Sequence, residues 1–173
     1  MEKDTMSLLS LIPSEFVLTG LEASDKSEAI HALATLFINK GYVKDSFVDA
    51  VLLREEKFPT GLRTLDVHVA IPHCDIEHCI KPGIAVSVLS SPVRFTEMAT
   101  NDQFVDVEII FLLAITEPDQ QVVWLARLVT LFQTKGFLTM LYNSKNPVEG
   151  HKIIIGALQK EAEKETEINI RAL

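Results

Sequence analysis

The chain has 173 residues, 47% of them hydrophobic, and a formal net charge of -8. A domain of this length buries about 70% of the surface that its unfolded chain exposes, so one domain is the default. We expect a single domain over residues 1–173, with a core at about 8–160 and a charged C-terminal tail. The acidic balance argues against nucleic acid as a partner, because a nucleic-acid-binding face needs clustered lysine and arginine.

The two cysteines, Cys74 and Cys79, are too few for a secreted, disulfide-stabilised domain of this size. The longest aliphatic run, residues 109–115, is far shorter than the ~20 residues that a membrane-spanning helix needs. The N-terminus lacks the apolar core of a signal peptide. These features predict a cytoplasmic location in a reducing environment.

The apolar period switches repeatedly between strand-like and helix-like spacing. This switching predicts an α/β fold, a single-domain mixed β-sheet flanked by α-helices on both faces. Strands are expected at 15–19, 67–71 and 84–89, at 93–95 as an edge segment, and at 105–115 as the buried central strand. Helices are expected from Ser24 or Asp25 to Gly41, from 45 or 46 to about 56, from Pro118, over 137–142, and from Pro147 to about Glu163.

Pro72 and His73 come directly after the apolar run 67–71. Because the Pro72 nitrogen cannot donate to a sheet ladder, the strand is expected to end there and to release His73 onto an exposed loop. A neutral imidazole can attack an activated phosphoryl group with one ring nitrogen while a hydrogen-bond acceptor holds the other. His73 is therefore a candidate nucleophile.

Upstream, residues 54–61 (REEKFPTG) predict a helix end that runs into a turn. Arg54 offers planar, permanently charged N–H groups that match phosphate geometry, although it also suits a helix C-terminus as a simple cation. Thr60 and Gly61 are expected to offer a hydroxyl and a backbone amide to phosphoryl oxygens. The same turn sequence is also common in loops that have no function.

Residues 54–61 followed by Val69-Ala70-Ile71-Pro72-His73 resemble the type 2 IIA phosphocarrier domains of the bacterial phosphoenolpyruvate sugar phosphotransferase system, the fructose and mannitol superfamily. A cysteine directly after the histidine is typical of the galactitol-like branch. The resemblance implies a phosphotransferase component that forms a phosphohistidine at His73. The donor would be the histidine phosphocarrier protein, and the acceptor a cysteine of a IIB component during uptake of a sugar alcohol such as galactitol.

The resemblance also implies that no metal or nucleotide cofactor is needed, and the chain contains no GxxxxGK loop. The domain would lie peripheral to a membrane IIC permease through its IIB partner. An alternative within the same superfamily is a regulatory nitrogen-type IIA domain that signals by its phosphorylation state. Neighbouring IIB and IIC genes would favour transport over regulation.

Fructose and mannitol relatives carry a second active-site histidine at the start of the helix that follows the central strand. Matching the apolar stretch 122–125 places Gln121 at that position, within one residue. A glutamine amide can hydrogen-bond a phosphoryl oxygen or orient His73, but it cannot supply a titrating charge. The resemblance thus predicts Gln121 as a third catalytic residue, and glutamine here favours the galactitol-like branch.

Three other interpretations involve neighbouring side chains. His68 is predicted to make a structural hydrogen bond, with orientation of His73 as the alternative. His73, Cys74, His78 and Cys79 are competent zinc ligands, but their spacing does not match a zinc motif, so no metal is expected. Cys74 as a nucleophile lacks a separate base.

Overall fold

The computed structural model describes residues 8–172. Its strands are β1 (Val17–Leu21), β2 (Gly61–Leu62), β3 (Val69–Ala70), β4 (Gly83–Thr96) and β5 (Phe104–Ala114). The helices that pack on them are α1 (Lys26–Asn39), α2 (Phe47–Lys57), α3 (Pro118–Phe132), α4 (Phe137–Tyr142) and α5 (Pro147–Arg171). Within residues 8–172, no helix is both long enough and apolar enough to cross a membrane.

The strands form one sheet in the order β1-β4-β5-β3-β2, with β5 at its centre. β1 runs parallel to β4 and β3 runs parallel to β5, whereas the β4–β5 and β2–β3 pairs are antiparallel. The predicted mixed sheet with a central fifth strand is therefore confirmed. Because β3 and β5 are parallel, their C-terminal ends meet at one edge of the sheet, where α/β folds commonly place ligands.

Two clusters of buried side chains lie on opposite faces of this sheet. The first receives Val86 from β4 and Phe111 from β5, and it is covered by α3, α4 and α5. The second receives Ala85 and Leu112 from the same two strands, and it is covered by α1 and α2. This alternation along each strand confirms the prediction of helices on both faces.

The strand predicted at 67–71 is only two residues long in the structure. On its N-terminal side, the His68 N–H donates to the Glu108 carboxylate at 3.0 Å, and the Thr64 hydroxyl donates to the Val67 carbonyl. These side-chain hydrogen bonds occupy backbone groups that would pair with a neighbouring strand if β3 were longer. The prediction of the strand is thus correct in place and wrong in length.

Residues 93–95 are extended, as predicted, but they do not form a separate strand. These residues belong to β4, which is irregular between Val88 and Val93 and then continues beside β5, with Val93 opposite Val107. An irregularity of this kind bends a strand without ending it, so the sequence shows two apolar runs where the backbone forms one strand.

Two further boundaries differ from the predictions. β1 begins at Val17 because residues 14–16 form a 3-10 turn. α5 continues past Glu163 to Arg171, because the charged stretch at 160–167 consists mostly of strong helix formers.

Gly61 fixes the position of β2, which is too short to produce a period in the sequence. A Cβ atom at Gly61 would lie 2.6 Å from the Thr96 carbonyl oxygen and 2.6 Å from Cγ1 of Val105. We expect Gly61→Ala to lower the free energy of unfolding by about 1–3 kcal/mol, because the backbone must shift to admit the methyl group. Urea denaturation measures this change.

Gly156→Ala is the matched control for this substitution. Gly156 lies within α5, and a Cβ atom there would meet nothing within 4 Å. Alanine in a helix interior is expected to raise stability by about 0.5–1 kcal/mol. An equal loss of stability in both variants would contradict the packing explanation for Gly61.

Candidate functional site

His73 lies in the loop after β3, where the ends of β3 and β5 meet. The Pro72 carbonyl accepts a hydrogen bond from the Leu113 N–H of β5 at 3.1 Å, which holds the start of the loop against the sheet. The prediction of a loop position is confirmed, but the predicted exposure is wrong. His73 is only 6% exposed, and both of its ring nitrogens have partners within the protein.

These partners define the tautomer of the imidazole. Nδ1 of His73 lies 2.8 Å from the Ile71 carbonyl oxygen, which can only accept, so Nδ1 carries the proton. Nε2 therefore holds a lone pair, and the Gln121 amide donates to it at 3.2 Å. The register that places Gln121 beside His73 is thus observed in the structure.

The surroundings of His73 keep its ring neutral. Burial is the main cause that lowers the pKa of His73, and the positive charge of Arg54 lowers the pKa further. The hydrogen bond to Ile71 and the negative charge of Asp75 act in the opposite direction without overcoming burial. At neutral pH the imidazole is therefore unprotonated at Nε2, which is the form that a nucleophile needs.

Arg54 lies in the last turn of α2, as predicted. Its Nη1 donates to Oδ1 of Asp75 at 3.1 Å, and its Cζ lies 5.4 Å from the centre of the Phe58 ring. Nε is buried and has no hydrogen-bond partner within the described residues. The guanidinium is thus held by two neighbours, and its positive charge acts on the imidazole of His73, whose pKa it lowers.

Asp75 is a site residue that the sequence analysis does not predict. Its side chain is 73% exposed, and its ion pair joins the loop after His73 to α2. The only signal in the sequence is a carboxylate two residues after the histidine, which by itself has no special meaning.

Free donors were predicted at Thr60 and Gly61, but the donors of Thr60 are already bonded in the structure. The Thr60 N–H donates to Oε1 of Glu55 at 2.9 Å, and the Thr60 hydroxyl donates to Oε2 of Glu55 at 2.7 Å. Gly61 lies in β2, opposite Ala70. A phosphoryl contact by Thr60 would need one of its bonds to Glu55 to break, so that role stays a prediction.

Glu55 is the second residue that sequence reasoning missed. It is 1% exposed, and burial raises its pKa, whereas the two bonds from Thr60 and the charge of Lys26 lower it. A signal was present, because Val48, Val51 and Glu55 fall on the same buried face of α2. A carboxylate on an apolar face predicts nearby donors.

His68 has a structural role, and orientation of His73 by His68 is not observed. Nδ1 of His68 accepts a hydrogen bond from the Thr64 N–H at 3.1 Å. Both ring nitrogens of His73 are occupied by Ile71 and Gln121, so no ring position remains for His68.

The cysteine that follows His73 is a core residue. Cys74 is 2% exposed, and its hydrogen bond to Cys79 and its burial raise the pKa of its thiol. A raised pKa disfavours the thiolate that nucleophilic or metal-binding chemistry needs. Among residues 8–172, no three histidine, cysteine or acidic side chains are grouped so that they would hold a metal ion.

Replacing Gln121 by histidine tests the contact with His73. A protonated imidazole at this position would attract phosphoryl oxygens and would disfavour protonation of His73. We expect the ratio of Gln121→His to wild-type phosphorylation rates to change with pH, most steeply near the ordinary histidine pKa of about 6.5. Initial rates measured from about pH 5 to 8 provide the test.

Gln133→His, at the exposed C-terminal end of α3, is the control for Gln121→His. Its rate relative to wild type should not vary with pH. A constant ratio for Gln121→His over the same range would contradict the contact with His73.

Comparison with known proteins supports what the fold and the site indicate. Residues 10–156 match the family model described as phosphoenolpyruvate-dependent sugar phosphotransferase system, EIIA 2. The chain belongs to this family of type 2 EIIA domains. It is 32% identical over 106 residues to the galactitol-specific EIIA component of Escherichia coli. This alignment covers 61% of this chain and 70% of that protein.

Solved structures share the fold. One is a complex of the mannitol enzyme IIA with phosphorylated enzyme IIB from Escherichia coli, with a TM-score of 0.66, 23% identity, and coverage of 84% of this chain and 99% of that chain. Another is the nitrogen regulatory protein IIA-Ntr from Neisseria meningitidis, with a TM-score of 0.67, 19% identity, and coverage of 85% and 98%. A mannitol enzyme IIA and a nitrogen regulatory protein therefore share this architecture.

Proposed function

We propose that this chain is a phosphocarrier that accepts a phosphoryl group on Nε2 of His73. The donor is the histidine phosphocarrier protein, and the acceptor is a cysteine of a IIB component during uptake of a sugar alcohol of the galactitol type. The observation that carries the proposal is the neutral imidazole, with its Nδ1 proton donated to the Ile71 carbonyl and its Nε2 lone pair next to Gln121.

In the first step, the Nε2 lone pair of His73 attacks the phosphorus of the donor's phosphohistidine. A new N–P bond forms while the N–P bond of the donor breaks, and the bonding electrons return to the donor imidazole. The Nδ1 proton stays on His73, where Ile71 accepts its hydrogen bond and stabilises the positive charge that the phosphorylated ring acquires.

Arg54 and Gln121 bind oxygens of the transferred phosphoryl group. Before transfer, the Gln121 amide donates to Nε2 of His73, so this hydrogen bond must break before the lone pair can attack. The amide then lies within reach of a phosphoryl oxygen. The guanidinium of Arg54, whose charge acts on His73, supplies a charged donor to another oxygen. Thr60 and Gly61 belong to the turn that follows α2, and we assign to them the role of shaping this turn.

In the second step, a thiolate of the IIB component attacks the same phosphorus, and His73 leaves as a neutral imidazole. The phosphoryl group therefore passes through this chain without a metal or nucleotide cofactor. In this proposal the domain acts in the cytoplasm, peripheral to a membrane IIC permease through IIB. Support comes from the complex that the mannitol enzyme IIA of Escherichia coli forms with phosphorylated IIB.

Phosphorylation with purified components tests the proposal. Labelled phosphoenolpyruvate, the general phosphotransferase enzyme and the histidine phosphocarrier protein should place one acid-labile phosphoryl group on this chain. Phosphorus NMR and peptide mapping should locate the group at Nε2 of His73. Absence of label, or label on another residue, would overturn the assignment.

The acceptor distinguishes transport from the regulatory alternative. In the transport role, the labelled chain should pass its group to a galactitol-type IIB protein and regain its unphosphorylated form. If no sugar-specific IIB protein removes the label although the donor supplies it readily, the nitrogen-type regulatory function is favoured.

A further inference from the structure

Glu55 is a buried carboxylate for which packing alone gives no reason. It lies on the apolar face of α2 and is 1% exposed, in a position where an aliphatic side chain would pack at lower cost. Both of its oxygens accept hydrogen bonds from one residue, Thr60, through the backbone N–H and the hydroxyl. Two bonds to one residue fix the position and the direction of the turn that carries it.

From Thr60 the hydrogen bonds continue to the imidazole. The Thr60 carbonyl accepts from the Ile71 N–H at 3.4 Å, and the Ile71 carbonyl accepts from Nδ1 of His73 at 2.8 Å. Glu55 is therefore joined to the His73 ring by consecutive hydrogen bonds through Thr60 and Ile71. The last of them is the bond that leaves the lone pair on Nε2.

The same carboxylate lies beside the other arm of the site. Arg54 precedes Glu55 in α2, and the Arg54 carbonyl accepts from the Phe58 N–H at 2.7 Å, which closes the helix end. Gly61 closes the far side of the turn, since a Cβ atom there would collide with the Thr96 carbonyl. The turn between Phe58 and Gly61 is thus held at both ends, with Glu55 bonded to its middle.

We infer that Glu55 is a positioning residue for phosphoryl transfer, which holds the His73 imidazole in its Nδ1–H form and sets the distance between His73 and Arg54. Glu55 contacts neither reacting nitrogen and acts through Thr60 and Ile71. This inference deepens the proposed function and rests on it.

Three variants and one control test the inference. Glu55→Ala removes both acceptors, whereas Glu55→Gln keeps one oxygen for the Thr60 N–H and an amide that donates to the Thr60 hydroxyl. Thr60→Val removes the hydroxyl bond and leaves the backbone bond. Glu56→Ala is the matched control, because Glu56 is the adjacent glutamate and is exposed.

Nitrogen NMR of the His73 ring is the first readout, since a merely structural role would not change the tautomer of a folded variant. Wild type and Glu56→Ala should show Nδ1 protonated and Nε2 bare. Glu55→Ala should show a mixture of both tautomers, and Glu55→Gln should restore the wild-type signal. Thr60→Val should give an intermediate spectrum.

The initial rate of phosphorylation by the histidine phosphocarrier protein is the second readout. A small displacement of a reacting group is costly, so we expect Glu55→Ala to lose at least about tenfold in rate, with Glu55→Gln recovering most of it. Thr60→Val should lose about two- to fivefold, less than Glu55→Ala, because the bond from the Thr60 N–H to Glu55 remains. If Glu55→Ala fails to fold, Thr60→Val and Glu55→Gln still give the comparison.

The outcomes separate this inference from the proposed function. The positioning role alone would be overturned if the wild type is phosphorylated and Glu55→Ala keeps both the wild-type rate and the wild-type tautomer of His73. Where Glu55→Ala does not fold, the same result for Thr60→Val would overturn it. A wild type that accepts no phosphate would overturn the proposed function, while the ring spectra would still report whether Glu55 sets the tautomer.

Discussion

His73→Ala should abolish phosphoryl acceptance, because the variant has no nucleophile at the edge where β3 and β5 end. The substitution should also lower stability, since the imidazole is 6% exposed and bonded at both nitrogens. Leaving the Ile71 carbonyl without its donor costs about 1–3 kcal/mol. This expected loss of stability follows from the burial of His73, which the sequence analysis expected on an exposed loop.

The stability of wild type should depend on pH through the same ring. Burial lowers the pKa of His73 in the folded state, so below about pH 6.5 the unfolded chain binds more protons than the folded one. Stability contributed by the neutral ring is complete above that pH and is lost as the pH falls. Urea denaturation should therefore show a larger difference between wild type and His73→Ala at about pH 7.5 than at pH 5.

His68→Ala is the control for the loss of activity. His68 lies directly before β3, and its Nδ1 accepts from the Thr64 N–H instead of touching the site. The variant should remain phosphorylatable at close to the wild-type level. Labelling of His73→Ala, or complete loss of labelling in a folded His68→Ala, would contradict the assignment of the nucleophile.

The apolar periodicity and the positions of proline were enough to predict the strand and the helix that carry the site. The apolar run at 105–115 predicts the central strand β5, and Pro118 predicts the start of α3. These two elements determine that Gln121 reaches the end of β3. The lengths of β2 and β3 were beyond prediction, since a two-residue strand exists only through its partners on neighbouring strands.

The environment of the site depends on contacts that no local pattern encodes. Gln121 of α3 contacts Nε2 of His73 from 48 residues further along the chain, and this separation conceals the contact in the sequence. Asp75 and Glu55 likewise acquire their roles from partners on other elements. Glu55 was nonetheless open to prediction, because a carboxylate in the stripe with Val48 and Val51 conflicts with the period around it.

Arg54→Lys should slow phosphorylation while the fold is retained. Lysine keeps the positive charge but loses the planar fork, so it cannot hold Asp75 through one nitrogen and offer a phosphoryl oxygen a second donor from the same rigid group. A charge-assisted hydrogen bond is worth about 1.5–3 kcal/mol, which corresponds to roughly a tenfold to hundredfold loss of rate. Arg54→Ala should lose more. The measurement is the initial rate with the purified histidine phosphocarrier protein as donor.

Lys57→Ala, at the exposed end of the same helix, is the matched control and should keep the wild-type rate. A second readout separates a role in the site from a role as a helix-end cation. The charge of Arg54 lowers the pKa of His73, so NMR titration should show a higher His73 pKa in Arg54→Ala and no change in Lys57→Ala. Wild-type rates in both Arg54 variants, with an unmoved His73 titration, would mean that Arg54 only stabilises the end of α2. A reduced rate together with a raised His73 pKa would support a direct role of the Arg54 charge in the site.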